Sequence, residues 1–168
     1  TVNGVNMKYD NLNKFKDSFS NYTELRVQEN RNNRVNLTNG DVTGNVATTT
    51  SGVSARVFKD GNWGFSSSPD ITDDSISDVV RASVDNVQFM NKKDTTRCGI
   101  FLPETQANYE MNFTTKKDRQ NQKFWLDFVK EVDGYIEKKY PELLSRNLVL
   151  GGLDMEKSLF TSDGSESY

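Results

Sequence analysis

The chain has 168 residues, which suits one ordinary domain with a hydrophobic core of its own. Its 24 acidic and 21 basic residues give a net charge of −3, and the sequence has no dense block of lysine and arginine. This charge pattern excludes the basic surface of a nucleic-acid binder. No apolar run approaches the roughly 18 residues of a membrane span, and no secretory signal opens the chain. We therefore expect a cytoplasmic protein with no nucleic-acid partner and no membrane segment.

Two residue counts restrict the chemistry. The chain has no histidine, which removes Ser-His and Cys-His nucleophile pairs and imidazole metal ligands. Its single cysteine, Cys98, excludes an internal disulfide and any site built from several thiolates. Carboxylates remain available, but the densest group, Asp70, Asp73 and Asp74, lies at a predicted helix start, where the helix dipole explains it. We expect no catalytic residue, no metal ligand and no cofactor in this chain.

The first predicted element is a helix that follows a short segment without periodicity. Residues 1–6, which precede Met7, are interpreted as a remnant of an expression sequence, and residues 7–168 as a single α+β domain. From Met7 to Ser20, apolar residues fall on one helical face among charged and amide side chains. This pattern predicts an amphipathic surface helix.

Alternating apolar residues predict five short antiparallel strands between Thr23 and Ser67. A polar turn is expected at Asn30–Asn33, and the pairs Asn39-Gly40 and Asp60-Gly61 are strong signals for two-residue hairpin turns. Gly44, inside a predicted strand, indicates a bulge or the close approach of another element. The segment is therefore predicted to be a meander joined by short turns.

A long helix is predicted after the meander, capped by Asp70 or Thr72 and ending near Met90. Its apolar positions recur at helical spacing: Ile76, Val79, Val80, Val84, Val87 and Met90. Because β-branched residues have low helix propensity, this helix must be held by packing on the sheet. Trp63 and Phe65 are expected to be core anchors beneath it, so that Trp63→Ala would cost about 3–5 kcal/mol.

The second half of the chain is predicted to hold one more long helix and two short strands. Residues 91–117 have no sustained period and are expected to lie across the domain. The later elements are a helix over Asp118–Tyr140, a strand at Leu148 and Leu150, a turn at Gly151-Gly152, a strand at Ser158–Thr161 and a turn at Ser162-Asp163-Gly164. The predicted fold class is α+β, with an antiparallel β-meander of about five strands plus two C-terminal strands, packed against two long helices and a short N-terminal helix.

The region from Tyr22 to Val87 resembles the amino-terminal domain of the TldD/PmbA family of metallopeptidases. The family's opening "A-E-x-R-x-x-E" strand is matched loosely at Tyr22–Glu29, and its "N-G-x" hairpin at Asn39-Gly40-Asp41. Its central run, "G-x-x-x-R-V-x-x-D-G-x-W-G-F-x-S", is matched by Gly52, Arg56, Val57, Asp60, Gly61, Trp63, Gly64, Phe65 and Ser67. The closing Thr161–Gly164 is similar to the family's "N-S-x-G" turn through Ser162 and Gly164, with threonine in place of asparagine.

This resemblance implies a larger protein of two domains that cleaves flexible or unfolded peptides. The family pairs as a homodimer or with a sister subunit, and its zinc site is an H-E-x-x-x-H helix in the carboxy-terminal domain. Nothing in this chain matches that motif, so no catalytic or zinc residue is carried over. The expected partners are the chain's own carboxy-terminal domain, a second subunit and a peptide substrate. The turn so near Tyr168 likewise favours a domain cut from a longer polypeptide.

Other interpretations remain open on the residues alone. The chain is alternatively a module that binds a peptide or protein at an exposed sheet edge, and more remotely a small carboxylate enzyme. Arg56 is expected to pair with Glu24 or Glu29 on a neighbouring strand or to point into a cleft. Gly61 and Gly64 are interpreted as backbone requirements, because no helix start follows them to complete an anion site.

Overall fold

The computed structural model describes residues 11–93 and 118–168, which confirm the α+β fold class. A 3-10 helix spans Leu12–Ser18. The strands are β1 (Tyr22–Thr38), β2 (Asp41–Lys59), β3 (Asn62–Ser68), β4 (Asn147–Thr161) and β5 (Glu166–Ser167), and the helices are α1 (Asp73–Lys93) and α2 (Gln122–Lys139). The described strands form one antiparallel sheet in the order β3-β2-β1-β4-β5.

Two predicted hairpin turns join the first three strands. Asn39 and Gly40 have φ angles of 51° and 87°, and Asp60 and Gly61 have φ angles of 51° and 88°. Positive φ at both central residues is the geometry of a type I′ turn, whose twist matches that of the strands beside it. Both turn predictions are confirmed.

The meander has three long strands in place of the five predicted short ones. β1 continues through Asn30–Asn33, where a turn was predicted, and β2 continues through Thr48–Ser51 without interruption. Neither stretch contains proline, and polar side chains on a solvated strand face do not stop the backbone ladder. The predicted turn at Asn30–Asn33 is wrong because polar residues alone do not end a strand.

The two predicted C-terminal strands are mostly one strand, β4. It runs through Gly151-Gly152, where a turn was predicted, and neither glycine has a positive φ. The turn signal at Ser162-Asp163-Gly164 is confirmed, since Gly164 has a φ of 91° and β5 follows it. The described sheet therefore has five strands in total, and the prediction of seven is wrong.

Side-chain caps set the starts of both long helices. The Thr72 hydroxyl accepts a hydrogen bond from Ser75 N at 3.3 Å, as expected for the start of α1. Asn121 Oδ1 accepts from Phe124 N at 2.9 Å, so α2 begins after Asn121 and not at Asp118. Predictions for residues 7–10, Cys98 and the rest of residues 94–117 lie outside the described residues.

The chain divides into two compact units. The described part of the first unit comprises residues 11–29, 51–93 and 156–168. Its buried core joins the 3-10 helix, strand residues and one face of α1: Leu12, Phe15, Leu25, Val27, Val53, Ala55, Ile76, Val79, Val80 and Phe160. Burying these aliphatic and aromatic side chains is the main stabilising contribution in this unit.

The second unit comprises, in its described part, residues 30–50 and 118–155. Its core is smaller and centres on Val35, Leu37 and Val129, with Trp125, Leu126, Leu148 and Leu150 packed against it. α2 thus packs on strand residues of its own unit. No helix within the described ranges is long and apolar enough to cross a membrane.

Candidate functional site

The central motif residues lie on the β2–β3 hairpin of the first unit, and their side chains alternate between two faces. Val57 is paired with Gly64, Arg56 with Phe65, and Phe58 with Trp63. Directly paired residues of antiparallel strands share a face. We call the face with Val57 and Gly64 the inner face, and the face with Arg56, Phe58, Trp63 and Phe65 the open face.

α1 packs on the inner face so closely that β3 needs a glycine there. A Cβ at Gly64 would lie 2.1 Å from Ser83 O and 2.5 Å from Val87 N, both backbone atoms of α1. The Ser83 hydroxyl also donates to Ala55 O at 2.9 Å, which ties the helix to β2. Gly64 therefore permits helix–sheet contact that any side chain would prevent.

The other motif residues of this hairpin also have backbone roles. Asp60 and Gly61 form the turn, with positive φ angles that glycine and aspartate tolerate. A Cβ at Gly52 would lie 3.0 Å from Ser68 O, so a larger residue would crowd the end of β3. All three positions are thus explained by the backbone geometry of the hairpin.

Ser162 and Gly164 belong to the turn after β4. Ser162 Oγ accepts from Thr23 N at 3.1 Å and Ser162 N donates to Thr23 O at 2.9 Å, so this serine fastens the turn to β1. Inside the turn, the Thr161 hydroxyl donates to Asp163 Oδ1, and this bond lowers the pKa of the Asp163 carboxyl. Both motif residues are structural.

Trp63 and Phe65 are not core anchors, and the sequence prediction is wrong on this point. Their exposed fractions are 37% and 59%. α1 covers the face that carries Gly64, and neighbouring positions of a strand point to opposite faces. The aromatic rings are therefore directed away from the helix that was expected to bury them.

Arg56 organises a cluster on the open face. Its guanidinium bonds to both carboxylate oxygens of Glu24, through Nε to Oε2 and through Nη2 to Oε1 at 2.8 Å. The same group lies 4.5 Å from the centre of the Trp63 ring, a cation–π geometry. The sequence left open whether Arg56 pairs with Glu24, pairs with Glu29 or points into a cleft. In the structure it pairs with Glu24.

Two residues that sequence reasoning missed as site residues complete this cluster. Tyr22 donates to Glu24 Oε1 at 3.2 Å, and its ring meets Trp63 edge-on at 6.1 Å between centroids. Phe58 packs on the other side at 5.1 Å from the Trp63 ring. We call Tyr22, Glu24, Arg56, Phe58 and Trp63 the open-face cluster. Only the pairing of β1 with β2 brings Tyr22 here, and no local pattern indicates that register.

Electrostatics keep this cluster neutral as a whole. The bond to Glu24 raises the pKa of Arg56, so its charge is secure. Burial, and then the neighbouring Glu24 charge, raise the pKa of Tyr22 to about 12, so its phenol stays protonated. One anion and one cation remain, beside aromatic planes. Such a surface can bind a polypeptide through stacking and hydrogen bonds.

The described donor groups do not fit a zinc site. Within residues 11–93 and 118–168, no group of three or more His, Cys, Asp or Glu side chains is arranged to hold a metal ion. The whole sequence contains no histidine. No chemical step through zinc is therefore assigned to this chain.

An ion network that the sequence did not reveal lies in the second unit. Asp133, buried on α2, accepts from Arg146 Nε at 3.1 Å, and Arg146 Nη2 also bonds to Glu137 at 3.1 Å. Hydrogen bonds to Asp133 raise the pKa of Arg146. Arg146 N donates to Asn39 Oδ1 at 2.7 Å, so the network fixes the hairpin turn at Asn39-Gly40 and has a structural role.

Comparison with known proteins agrees with the motif. Residues 23–87 match the family model described as PmbA/TldA metallopeptidase domain 1. This match covers β1 to the middle of α1 and contains the whole open-face cluster except Tyr22. No curated protein matches the sequence.

Three solved structures share the fold. TldE from Thermococcus kodakarensis is 11% identical, with a TM-score of 0.73 over 92% of this chain and 34% of its own. A candidate modulator of a DNA gyrase from Thermotoga maritima is 17% identical, with a TM-score of 0.67 over 87% of this chain and 32% of its own. Another from Bacteroides thetaiotaomicron is 14% identical, with a TM-score of 0.56 over 87% and 33%. The chain thus spans about a third of each.

Proposed function

We propose that the chain carries the amino-terminal domain of the TldD/PmbA family, and that this domain is a non-catalytic part of a zinc metallopeptidase that cleaves flexible or unfolded peptides. In this proposal the domain forms part of the substrate cleft and contributes to the assembly of two subunits. The zinc and the catalytic residues belong to the carboxy-terminal domain of the parent protein. The proposal also assigns the protein to the cytoplasm.

The observation that carries the proposal is the exposure of motif residues on the open face. Trp63 and Phe65 are large apolar side chains of the family motif, yet they contact solvent. Exposed aromatic residues beside an arginine are typical of surfaces that bind another polypeptide. The open face is therefore our candidate for the wall of the cleft.

Arg56 suits such a wall because it is held in place before any peptide arrives. Its bonds to Glu24 and its stacking on Trp63 fix the guanidinium, so little side-chain freedom is lost on binding. Phe65, opposite Arg56 on β3, adds exposed apolar area. A bound peptide would contact an ordered surface of mixed apolar and polar character.

The test compares this chain with a longer protein that includes a carboxy-terminal domain. We expect the longer protein to bind zinc and to cleave unstructured peptides, whereas this chain alone does neither. Zinc is measured by atomic emission after dialysis, and cleavage by mass spectrometry of a casein-derived peptide. Tight zinc binding or peptide cleavage by this chain alone would contradict the division of roles.

A second candidate function is an interaction module that binds at a sheet edge. One observation favours it: in the described part of the chain, β5 pairs with β4 only at Leu159 and Phe160, although β4 has 15 residues. Reading the gene beyond Tyr168 distinguishes the two candidates. A continuing frame that encodes H-E-x-x-x-H supports the peptidase, whereas a stop codon supports the module.

A further inference from the structure

The two edges of the described sheet differ in their protection. At one edge, α1 packs on β3, and Asn86 of that helix donates to Phe65 O at 2.8 Å. At the other, the first half of β4, Asn147–Asp154, has no described strand on the side away from β1. Sheet edges expose unpaired backbone groups, and proteins usually cover them. The first half of β4 is therefore suited to pairing with an added strand.

The backbone groups that point to this edge can be assigned from the residue that precedes β4. Arg146 O accepts from Asn39 N at 2.8 Å, and Arg146 N donates to the Asn39 side chain, so the backbone of Arg146 faces β1. Backbone direction alternates along a strand. Val149, Gly151 and Leu153 consequently direct their N–H and C=O groups to the open edge.

A groove of about 490 Å³, lined by uncharged residues, lies beside this edge, within the second unit. Phe128 and Val132 of α2 line one side, and Leu148 and Leu150 of β4 line the other. Phe128 is 47% exposed, so its ring is accessible to a side chain that enters the groove. The volume is within the range of about 300–1,000 Å³ that is typical of ligand sites.

Charge selects which side chains can enter the groove, because none of its lining residues is charged. The charged residues at the two ends of this edge segment are already paired. Asp154 forms ion pairs with Arg31 and Arg119, and Arg146 is held by Asp133. Uncharged apolar side chains are therefore the complementary ones, since a charged group would lose its hydration without gaining a partner.

Two consecutive glycines in the middle of β4 leave open space beside the strand. A Cβ at Gly151 would have no neighbour within 4 Å, and at Gly152 the nearest atom would be Asn33 Cβ at 3.9 Å. Glycine weakens a strand that stands alone, but it allows another backbone to come close. Leu153 next to them is 63% exposed. β4 thus carries apolar residues on both of its faces, such as Leu150 on one and Leu153 on the other, which is typical of a strand inside a sheet.

We propose that the edge of β4 from Asn147 to Asp154 binds an extended polypeptide segment with an uncharged apolar side chain at every second position. The segment adds to the sheet as a further strand, its backbone bonding to Val149, Gly151 and Leu153. Its apolar side chains enter the groove beside Phe128. This inference rests on the second proposed function and requires neither zinc nor cleavage.

A strand is the occupant that fits both features of the site. An unpaired edge needs backbone donors and acceptors at strand spacing, which a helix cannot supply because its own groups are satisfied internally. The groove next to the edge needs side chains on one face only, which an extended chain supplies at alternate positions.

The experiment measures binding of a fluorescein-labelled ten-residue peptide, with leucine and threonine alternating, by anisotropy. A peptide of the same composition with its leucines grouped is the control ligand. Phe128→Asp introduces a charge in the groove, and Gly151→Pro removes one edge N–H. Phe89→Asp, which introduces the same charge at a phenylalanine of α1 that is 55% exposed, is the matched control variant.

We expect the alternating peptide to bind at least tenfold more tightly than the grouped one. Phe128→Asp should weaken binding at least tenfold and Gly151→Pro at least fivefold, whereas Phe89→Asp should bind as the parent does. Equal binding of the two peptides, or no effect of either edge variant, would overturn the proposal.

Two measurements on the free chain test whether the site is open. Amide hydrogens of Val149, Gly151 and Leu153 should exchange quickly without peptide and slow at least tenfold with it. Slow exchange in the free chain would mean that the edge is already covered, and would overturn the proposal. A dimer seen by sedimentation that Gly151→Pro dissociates would do the same, since the occupant would be a second copy. Absence of cleavage by the longer protein would contradict only the peptidase proposal.

Discussion

Both faces of the β2–β3 hairpin carry residues of the same sequence motif, but these residues have different surroundings on the two faces. On the inner face, Gly64 meets the backbone of α1, and Val57 and Ala55 of β2 are buried. On the open face, Arg56 and Trp63 stack in contact with solvent. One strand register therefore separates residues that build the domain from residues that are available for binding.

This difference shows why motif residues should be assigned to faces before they are given roles. A glycine that meets a helix backbone leaves no room for change, because a rigid neighbour cannot move aside. An exposed aromatic residue contributes less to stability, and its presence in a motif needs another reason. Substitutions on the two faces should consequently have different effects.

The largest effect is expected on the inner face. Gly64→Ala should lower the free energy of unfolding by about 3 kcal/mol, because the added Cβ overlaps the backbone of α1 at Ser83 and Val87. Urea unfolding followed by circular dichroism measures it. Gly151→Ala, where a Cβ has open space, is the matched control and should change stability by less than about 1 kcal/mol. Equal effects would contradict the close contact.

A smaller effect is expected from the open face. Trp63→Ala should cost about 1 kcal/mol, since only part of the ring is buried and its contact with Arg56 is exposed. This replaces the value of about 3–5 kcal/mol expected for a buried ring. Leu25→Ala, at a fully buried position, is the reference for a core substitution. If Trp63→Ala matched it, the description of the two faces would fail.

The ionisation of Tyr22 tests the open-face cluster directly. Glu24→Gln removes the neighbouring negative charge, so the pKa of Tyr22 should fall from about 12 toward 10. Tyrosinate absorption, compared with that of Tyr22→Phe, measures the change. Because the folded pKa is raised, this phenol stabilises the fold fully below pH 10 and loses its contribution as the pH rises toward 12. An unchanged pKa in Glu24→Gln would contradict the hydrogen bond.

The smallest effect is expected at the turn after β4. The Asp163 pKa is lowered by the Thr161 hydroxyl, so the stabilisation exists above the usual pKa of about 3.9 and is lost as the pH falls through the lower folded value. Thr161→Val should raise the pKa of Asp163 toward its usual range, measured by carboxyl chemical shifts. A pKa that is normal in the parent would exclude this bond.

Local signals in the sequence predicted turns and helices well. Asn39-Gly40, Asp60-Gly61 and Gly164 were all predicted from the backbone angles that such residues favour, and each has positive φ. α1 and α2 were predicted from apolar spacing. The errors fell at Asn30–Asn33 and Gly151-Gly152, where neighbouring strands hold an extended backbone that the local residues do not dictate.

The candidate site was predicted only in part because it depends on contacts distant in sequence. The motif identified Arg56 and Trp63, and their own strands are adjacent in the chain. The face of the sheet that α1 covers was predicted incorrectly. The apolar stripe of a helix shows which side of the helix is buried, but it does not show on which side of the sheet the helix packs. Tyr22 joins the cluster through strand pairing, and the groove beside Phe128 exists only when α2 lies next to β4.

The central claim is that the open face serves peptide binding and not stability, and Arg56→Ala tests it most directly. In the longer protein we expect the KM for an unstructured peptide to rise about tenfold with kcat nearly unchanged, while the free energy of unfolding changes by less than about 1 kcal/mol. An unchanged KM would contradict the claim.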